Sequence, residues 1–179
     1  MAVVMGGGLG LGHLFQACDV LTSKAFPAPV TVVALCGDNG DVLGQVSALA
    51  AARSPNHTII PVGWTDEVPT YMEAADLLVT KAGGVTLAEA AAVGVPLVLF
   101  QPLPGQEAVN VRFLTQHRAA LAAEDADQLL GAAEKLMFTP QGREMASRLR
   151  HLGKPNAASD IVARVCEDVP LTPSSKEHR

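Results

Sequence analysis

At 179 residues, the chain has the length of one α/β domain, or of one such domain carrying a tail. Hydrophobic residues at 49% allow a sizeable core, while aromatics at only 4% favour a parallel sheet packed by helices over an all-β sandwich. A net charge of −5 argues against a nucleic-acid binder with its basic stripe, and three separated cysteines (Cys18, Cys36, Cys166) without a CxxC signal neither a zinc site nor a redox pair.

Short apolar runs alternate with helix-length segments. Residues 2–5 read as a strand, followed by glycines and a helix over 13–25. Residues 30–35 (VTVVAL) form a β-branched buried strand, and 41–53 a helix after a turn. A third strand is expected at 57–62, then a short helix at 68–75 running into a fourth strand at 76–80. The helix over 86–93 stops at Gly94, and 96–100 is the fifth strand. Helices at 107–117 and 125–137 flank a short strand near 119–122, and helices at 141–150 and 155–168 close the domain. Residues 170–179 carry proline, serine and charge and are expected to be disordered. No signal peptide is expected from the start of the chain, and no apolar run approaches the ~18–20 residues of a membrane span. This alternation predicts a Rossmann-like parallel sheet with helices on both faces and ligand-binding loops at the carboxyl ends of the strands.

Four such loops carry candidate chemistry. Gly6-Gly7-Gly8-Leu9-Gly10-Leu11-Gly12-His13 separates a strand from a helix, where backbone N–H groups can approach an anion. It matches neither the dinucleotide fingerprint nor the phosphate-binding Gly-Lys-Ser/Thr loop, and a plain tight turn is the alternative. In Lys81-Ala82-Gly83-Gly84-Val85-Thr86-Leu87-Ala88-Glu89, the glycines fit close approach of a phosphate and Lys81 supplies charge. Glu89 could accept from a ribose diol; Thr86 and Glu89 equally have the spacing of a capping box. After the rigid segment Pro102-Leu103-Pro104-Gly105, the pair Gln106 and Glu107 offers donors and acceptors for sugar hydroxyls, or Glu107 simply complements a helix dipole. Gly63-Trp64 could meet a base edge, or Trp64 could cap the core.

Taken together, Gly6-Gly7-Gly8, Gly63-Trp64, Ala75-Asp76, Lys81-Ala82-Gly83-Gly84-x-Thr86-x-x-Glu89-Ala90, Gly94-x-Pro96 and Pro104-Gly105-Gln106-Glu107-x-x-Asn110 occur in a telling order and spacing. They resemble the C-terminal, donor-binding domain of the monogalactosyldiacylglycerol synthases and bacterial diacylglycerol glucosyltransferases (glycosyltransferase family 28). The peptidoglycan N-acetylglucosaminyltransferase is a more distant relative. The resemblance runs from about residue 2 to at least residue 122.

The resemblance implies the C-terminal half of a GT-B fold, with residues 1–169 forming the nucleotide-sugar domain and the acceptor domain absent. It implies hexosyl transfer from a UDP-sugar to a diacylglycerol-type lipid, without a bound metal or other cofactor. Gly83, Gly84 and Thr86 would contact the diphosphate with Lys81 beside it, Glu89 would bind the ribose, and Gln106 and Glu107 would read the hexose. Asn110 would support that helix start, Gly63 and Trp64 would meet uracil, and Gly7 and Gly8 would line the cleft. The general base is expected in the missing half, so no catalytic residue is assigned in this chain and His13 is not promoted to that role. The acceptor domain could be a separate polypeptide, and lipid and membrane contact would come through it. The implied setting is cytoplasmic or peripheral at the cytoplasmic membrane. Arg143, Arg148 and Arg150 read as a solvated helix face. A nicotinamide-dependent oxidoreductase is the remote alternative, and UDP against NAD binding discriminates the two.

Overall fold

The computed structural model describes residues 1–10, 13–53, 56–103, 105 and 107–168. Strand β1 (Ala2–Met5) leads through the glycine loop to helix α1 (Leu14–Leu21), then β2 (Thr31–Leu35), α2 (Gly40–Ala52), β3 (Thr58–Val62) and α3 (Val68–Ala74). The second half runs β4 (Leu77–Thr80), α4 (Gly84–Val93), β5 (Leu97–Phe100), α5 (Ala108–Gln116), β6 (Leu121–Ala123), α6 (Ala126–Phe138), α7 (Gln141–Leu152) and α8 (Ala157–Asp168). The tail assigned to 170–179 lies outside the described residues.

The six strands form one parallel sheet in the order β3-β2-β1-β4-β5-β6. β1, β4 and β5 are buried along their whole length, which is why they read as unbroken apolar runs rather than alternating ones. The pleat sends alternate residues to opposite faces. Ala2, Val4, Leu77, Val79 and Val98 pack with α1 and α6 on one face. Val3, Met5, Leu78, Leu97 and Leu99 pack with α3, α4 and α5 on the other. Helix α7 reaches both clusters, through Met145 and Leu149. Each fully buried leucine contributes roughly 1.5–3 kcal/mol relative to exposure.

The chain winds outward from β1 to β3, then returns to lay β4 on the other side of β1. The loops after β1 and β4 therefore leave in opposite directions, opening a crevice at a topological switch point. Met5 and Thr80, the last residues of these strands, are register partners.

Most boundaries shift by a residue or two from the sequence expectation, and three of the differences have a visible physical reason. The 13–25 helix stops at Leu21, because the chain tightens into successive turns in which the Ser23 N–H bonds the Val20 carbonyl at 3.2 Å and the Phe26 N–H bonds the Ser23 carbonyl at 3.1 Å. Helix α4 starts at Gly84, so Thr86 lies inside its first turn and the Thr86–Glu89 capping box is not formed. Strand β6 lies later than expected, because Arg118 at φ 52° and the Ala119 N–H bond to Leu114 first terminate α5. Arg150 is also more than a solvated charge: its guanidinium bonds the Val93 carbonyl at the carboxyl end of α4.

The loops after β1 and β2 interlock. Gly10 (φ 56°) and Gly37 (φ 59°) adopt left-handed backbone, and a Cβ at either would strike the carbonyl of Cys36 or Gly8. The Asp38 N–H completes the contact with the Gly8 carbonyl at 3.0 Å. Gly37→Ala should therefore cost about 1–3 kcal/mol, whereas Gly44→Ala, in an open helical position on α2, should gain about 0.5–1 kcal/mol. Chemical denaturation checks this; effects of the same sign would contradict the interlock.

Candidate functional site

The crevice between the ends of β1 and β4 gathers three loops around Lys81. The Lys81 Nζ stands 3.2 Å from where a Cβ on Gly83 would sit, and its Cε 3.8 Å from the corresponding point on Gly7. Gly83 (φ −72°, ψ 131°) caps α4 without any side-chain hydrogen bond. The first α4 amide to bond back is Leu87, to the Gly83 carbonyl at 3.0 Å. The N–H groups of Gly84, Val85 and Thr86 are thus left without an acceptor among the described residues. A helix end with free donors beside a cation is suited to an anion.

Two glycines here are demanded by nothing within the described chain. Gly8 and Gly84 have neither a positive φ nor any atom within 4 Å of a built Cβ. Their faces are open, unlike those of Gly10 and Gly37.

The third loop is held by Glu107, whose side chain is only 8% exposed. One carboxylate oxygen accepts from Lys81 Nζ at 2.9 Å. The other accepts from the N–H groups of Ala82 at 3.1 Å and Leu103 at 2.9 Å. One turn along α5, Asn110 Nδ2 donates to the Ala82 carbonyl at 2.9 Å. Both polar groups of the Ala82 peptide positions are therefore gripped from α5, immediately before Gly83 and Gly84.

With this geometry in place, comparison with known proteins is decisive. The glycosyltransferase family 28 C-terminal domain matches residues 1–162. The chain belongs to this family. It is 28% identical over 177 residues to a processive diacylglycerol beta-glucosyltransferase of Bacillus licheniformis, covering 98% of this chain and 45% of that protein. The protein of the same description from Bacillus subtilis is 31% identical over 168 residues, covering 93% and 43%. Among solved structures, MurG of Acinetobacter baumannii superposes with a TM-score of 0.73 at 26% identity, covering 93% of this chain and 49% of that one. The chain thus spans less than half the length of the curated relatives it matches. It is a glycosyltransferase domain with the Rossmann-like architecture of a GT-B half.

Within this family 28 domain, most of the expected donor residues edge the same crevice. Gly7, Gly8, Lys81, Gly83, Gly84 and Thr86 surround the β1–β4 switch point, with Thr86 buried in the first turn of α4. Glu89 is half-buried one turn further along, and its side chain makes no hydrogen bond or ion pair among the described residues. Gly63 and Trp64 follow β3 at the same end of the sheet, and Trp64 is 65% exposed, so it does not cap the core. Gln106 lies outside the described residues. His13 is the N-cap residue of α1, its side chain making no capping bond among the described residues, and it meets the Phe100 ring edge-on at 6.3 Å. With Thr80 and Lys81 it borders a cavity of about 10 Å³, and the buried Thr80 hydroxyl has no partner there among the described residues.

One shaping residue has no signal in the sequence. Gln101 takes φ 42° directly after β5, and its N–H and Nε2 donate to the carbonyls of Ala123 and Glu124. That bend swings the chain off the sheet toward Glu107. Cys18 and Cys36 are buried and reduced; burial, reinforced by the neighbouring Cys36, pushes the Cys18 thiol up to about 12. Such thiols are inert.

Burial of the Glu107 carboxyl favours its neutral form, but the Lys81 hydrogen bond and charge, with the Leu103 and Ala82 N–H groups, outweigh burial and hold its pKa below the ordinary value. The folded pKa is therefore lower than the unfolded one. Its stabilisation is complete above the unfolded pKa and is lost as pH falls through the folded value. Glu107→Gln should be less stable than wild type by about 1–3 kcal/mol at pH 7. That gap should narrow as pH falls below about 5, where an unfolded glutamate begins to protonate. Urea midpoints across pH measure it, and a gap independent of pH would contradict the clasp.

Proposed function

We propose that this chain is the UDP-sugar-binding half of a glycosyltransferase that transfers a hexose to a diacylglycerol-type lipid. The observation carrying this reading is the convergence, at one switch point, of the unpartnered α4 N-terminus, the Lys81 ammonium and the open faces of Gly8 and Gly84. A diphosphate is the ligand group that uses all of them: it needs several donors, and it needs backbone that carries no Cβ in its way.

In this reading Gly84, Val85 and Thr86 offer backbone donors to the diphosphate, and Gly7 and Gly8 leave it room. Gly83, whose own N–H bonds the Lys81 carbonyl at 3.0 Å, leads the chain into that helix end. Glu89, unengaged within the described chain, accepts from the ribose hydroxyls. The Gly63–Trp64 backbone meets uracil, Gln106 reads the hexose, and Asn110 fixes the helix start beside it. The acceptor hydroxyl attacks the anomeric carbon while UDP departs toward α4. The helix dipole, backbone amides and Lys81 meet the charge on the leaving group, in place of a resident metal ion. Direct displacement requires one general base, which the acceptor-binding half supplies.

That half corresponds to the remaining length of the relatives, either on a longer chain or on a separate polypeptide. An apolar rim supports a partner closing over the crevice: Leu9, Val85, Leu103 and Val109 are all exposed around it, Val85 at 76%. Among the described residues no helix is long and apolar enough to cross a membrane. We place the domain in the cytoplasm, with contact to the membrane made through the acceptor half.

Calorimetric titration of the chain with UDP tests the reading. It should bind in the micromolar to millimolar range, unchanged by EDTA, and Glu89→Ala should weaken binding by about 1–3 kcal/mol. NAD should give no heat of binding. A folded chain that ignores UDP, or that prefers NAD, would overturn the assignment.

A further inference from the structure

Glu107 belongs by its sequence position to the sugar-reading pair, yet its carboxylate is turned into the protein. Its three bonds go to Lys81 Nζ and to the Ala82 and Leu103 N–H groups, and none of these donors lies on its own helix. Lys81 is one-fifth exposed, and among the described residues Glu107 is its one hydrogen-bond acceptor. An ammonium has three N–H donors, so two remain for a ligand.

A free lysine side chain would have many rotamers to lose on binding an anion, a cost that prior fixation removes. Here the ammonium is already fixed beside the α4 N-cap, with Gly83 small enough to admit it. The same carboxylate, together with Asn110 on the Ala82 carbonyl, fixes the residue from which Gly83 and Gly84 enter that helix.

We infer that Glu107 is a positioning residue for phosphate capture: it aims Lys81 and sets the Ala82–Gly84 backbone, rather than contacting the hexose. This rests on the donor-site reading above and deepens it, moving Glu107 from sugar selectivity to diphosphate affinity. The two roles differ in what they do to UDP itself. A sugar reader affects only ligands that carry the sugar. A residue acting through Lys81 and the α4 N-terminus affects UDP and UDP-sugar alike.

The experiment is titration of wild type, Glu107→Gln, Lys81→Met and the double variant with UDP and with UDP-glucose. Glu107→Gln should weaken both ligands by the same factor, on the order of tenfold. Lys81→Met should also weaken both, and adding Glu107→Gln to it should cost clearly less than it does alone, since part of its action runs through Lys81. Full affinity for UDP in Glu107→Gln, with loss confined to UDP-glucose, would restore the sugar-reading role and overturn the inference. Strict additivity of the two substitutions would overturn it as well. If circular dichroism shows Glu107→Gln to be unfolded, Glu107→Asp carries the same comparison. It keeps the charge but withdraws it by one methylene, and equal losses for UDP and UDP-glucose again support the inference while a loss for UDP-glucose alone overturns it. Wild type that binds neither ligand would instead remove the donor site itself, a result distinct from any pattern among the variants.

Discussion

A carboxylate cannot be withdrawn from water without partners, and much of the crevice follows from how Glu107 finds its own. Its side chain lies at the start of α5, almost wholly covered. It is satisfied only because the loop after β4 delivers Lys81 and the Ala82 amide, while the loop after β5 delivers the Leu103 amide. Two connections that leave neighbouring strands are thereby tied to one group. The net worth of such a buried pair relative to an apolar replacement is small, but breaking it leaves a charge stranded. Its value lies in geometry: the clasp holds the helix end and the ammonium in one orientation before any ligand arrives.

Much of the architecture was legible in the sequence because parallel strands buried on both faces must be apolar throughout. Residues 2–5, 30–35 and 96–100 have that character, and the strands appear there to within a residue. Gly94 ended its helix as read. Where reading failed, a local pattern competed with the real geometry. Thr86 and Glu89 have capping-box spacing, yet the helix begins two residues earlier, because an extended Gly83 can begin it with no side chain at all. Trp64 read equally as a core cap, but its ring stands in solvent.

The candidate loops were legible in the sequence, and the contacts their residues make were less so. Glycines, a lysine and polar side chains at strand ends identify the loops, but spacing does not tell which glycine serves packing and which serves access. Gly10 and Gly37 let two loops interlock, whereas Gly8 and Gly84 face open space. Nor does spacing show that Glu107 and Lys81, 26 residues apart, meet across two strands. Gln101 offers no cue, since its left-handed backbone precedes a proline, a context that favours extended conformations.

In the function proposed for it, this family 28 domain is one half of a transfer reaction, holding a charged leaving group still while another half brings the acceptor. The central physical claim is that the α4 N-terminus and Lys81 receive the diphosphate. A crystal structure of the chain with UDP tests it most directly. The account predicts phosphate oxygens about 3 Å from the N–H groups of Gly84 or Val85 and from Lys81 Nζ, with the Lys81–Glu107 bond intact. UDP bound with its phosphates turned away from α4, or at another edge of the sheet, would contradict it.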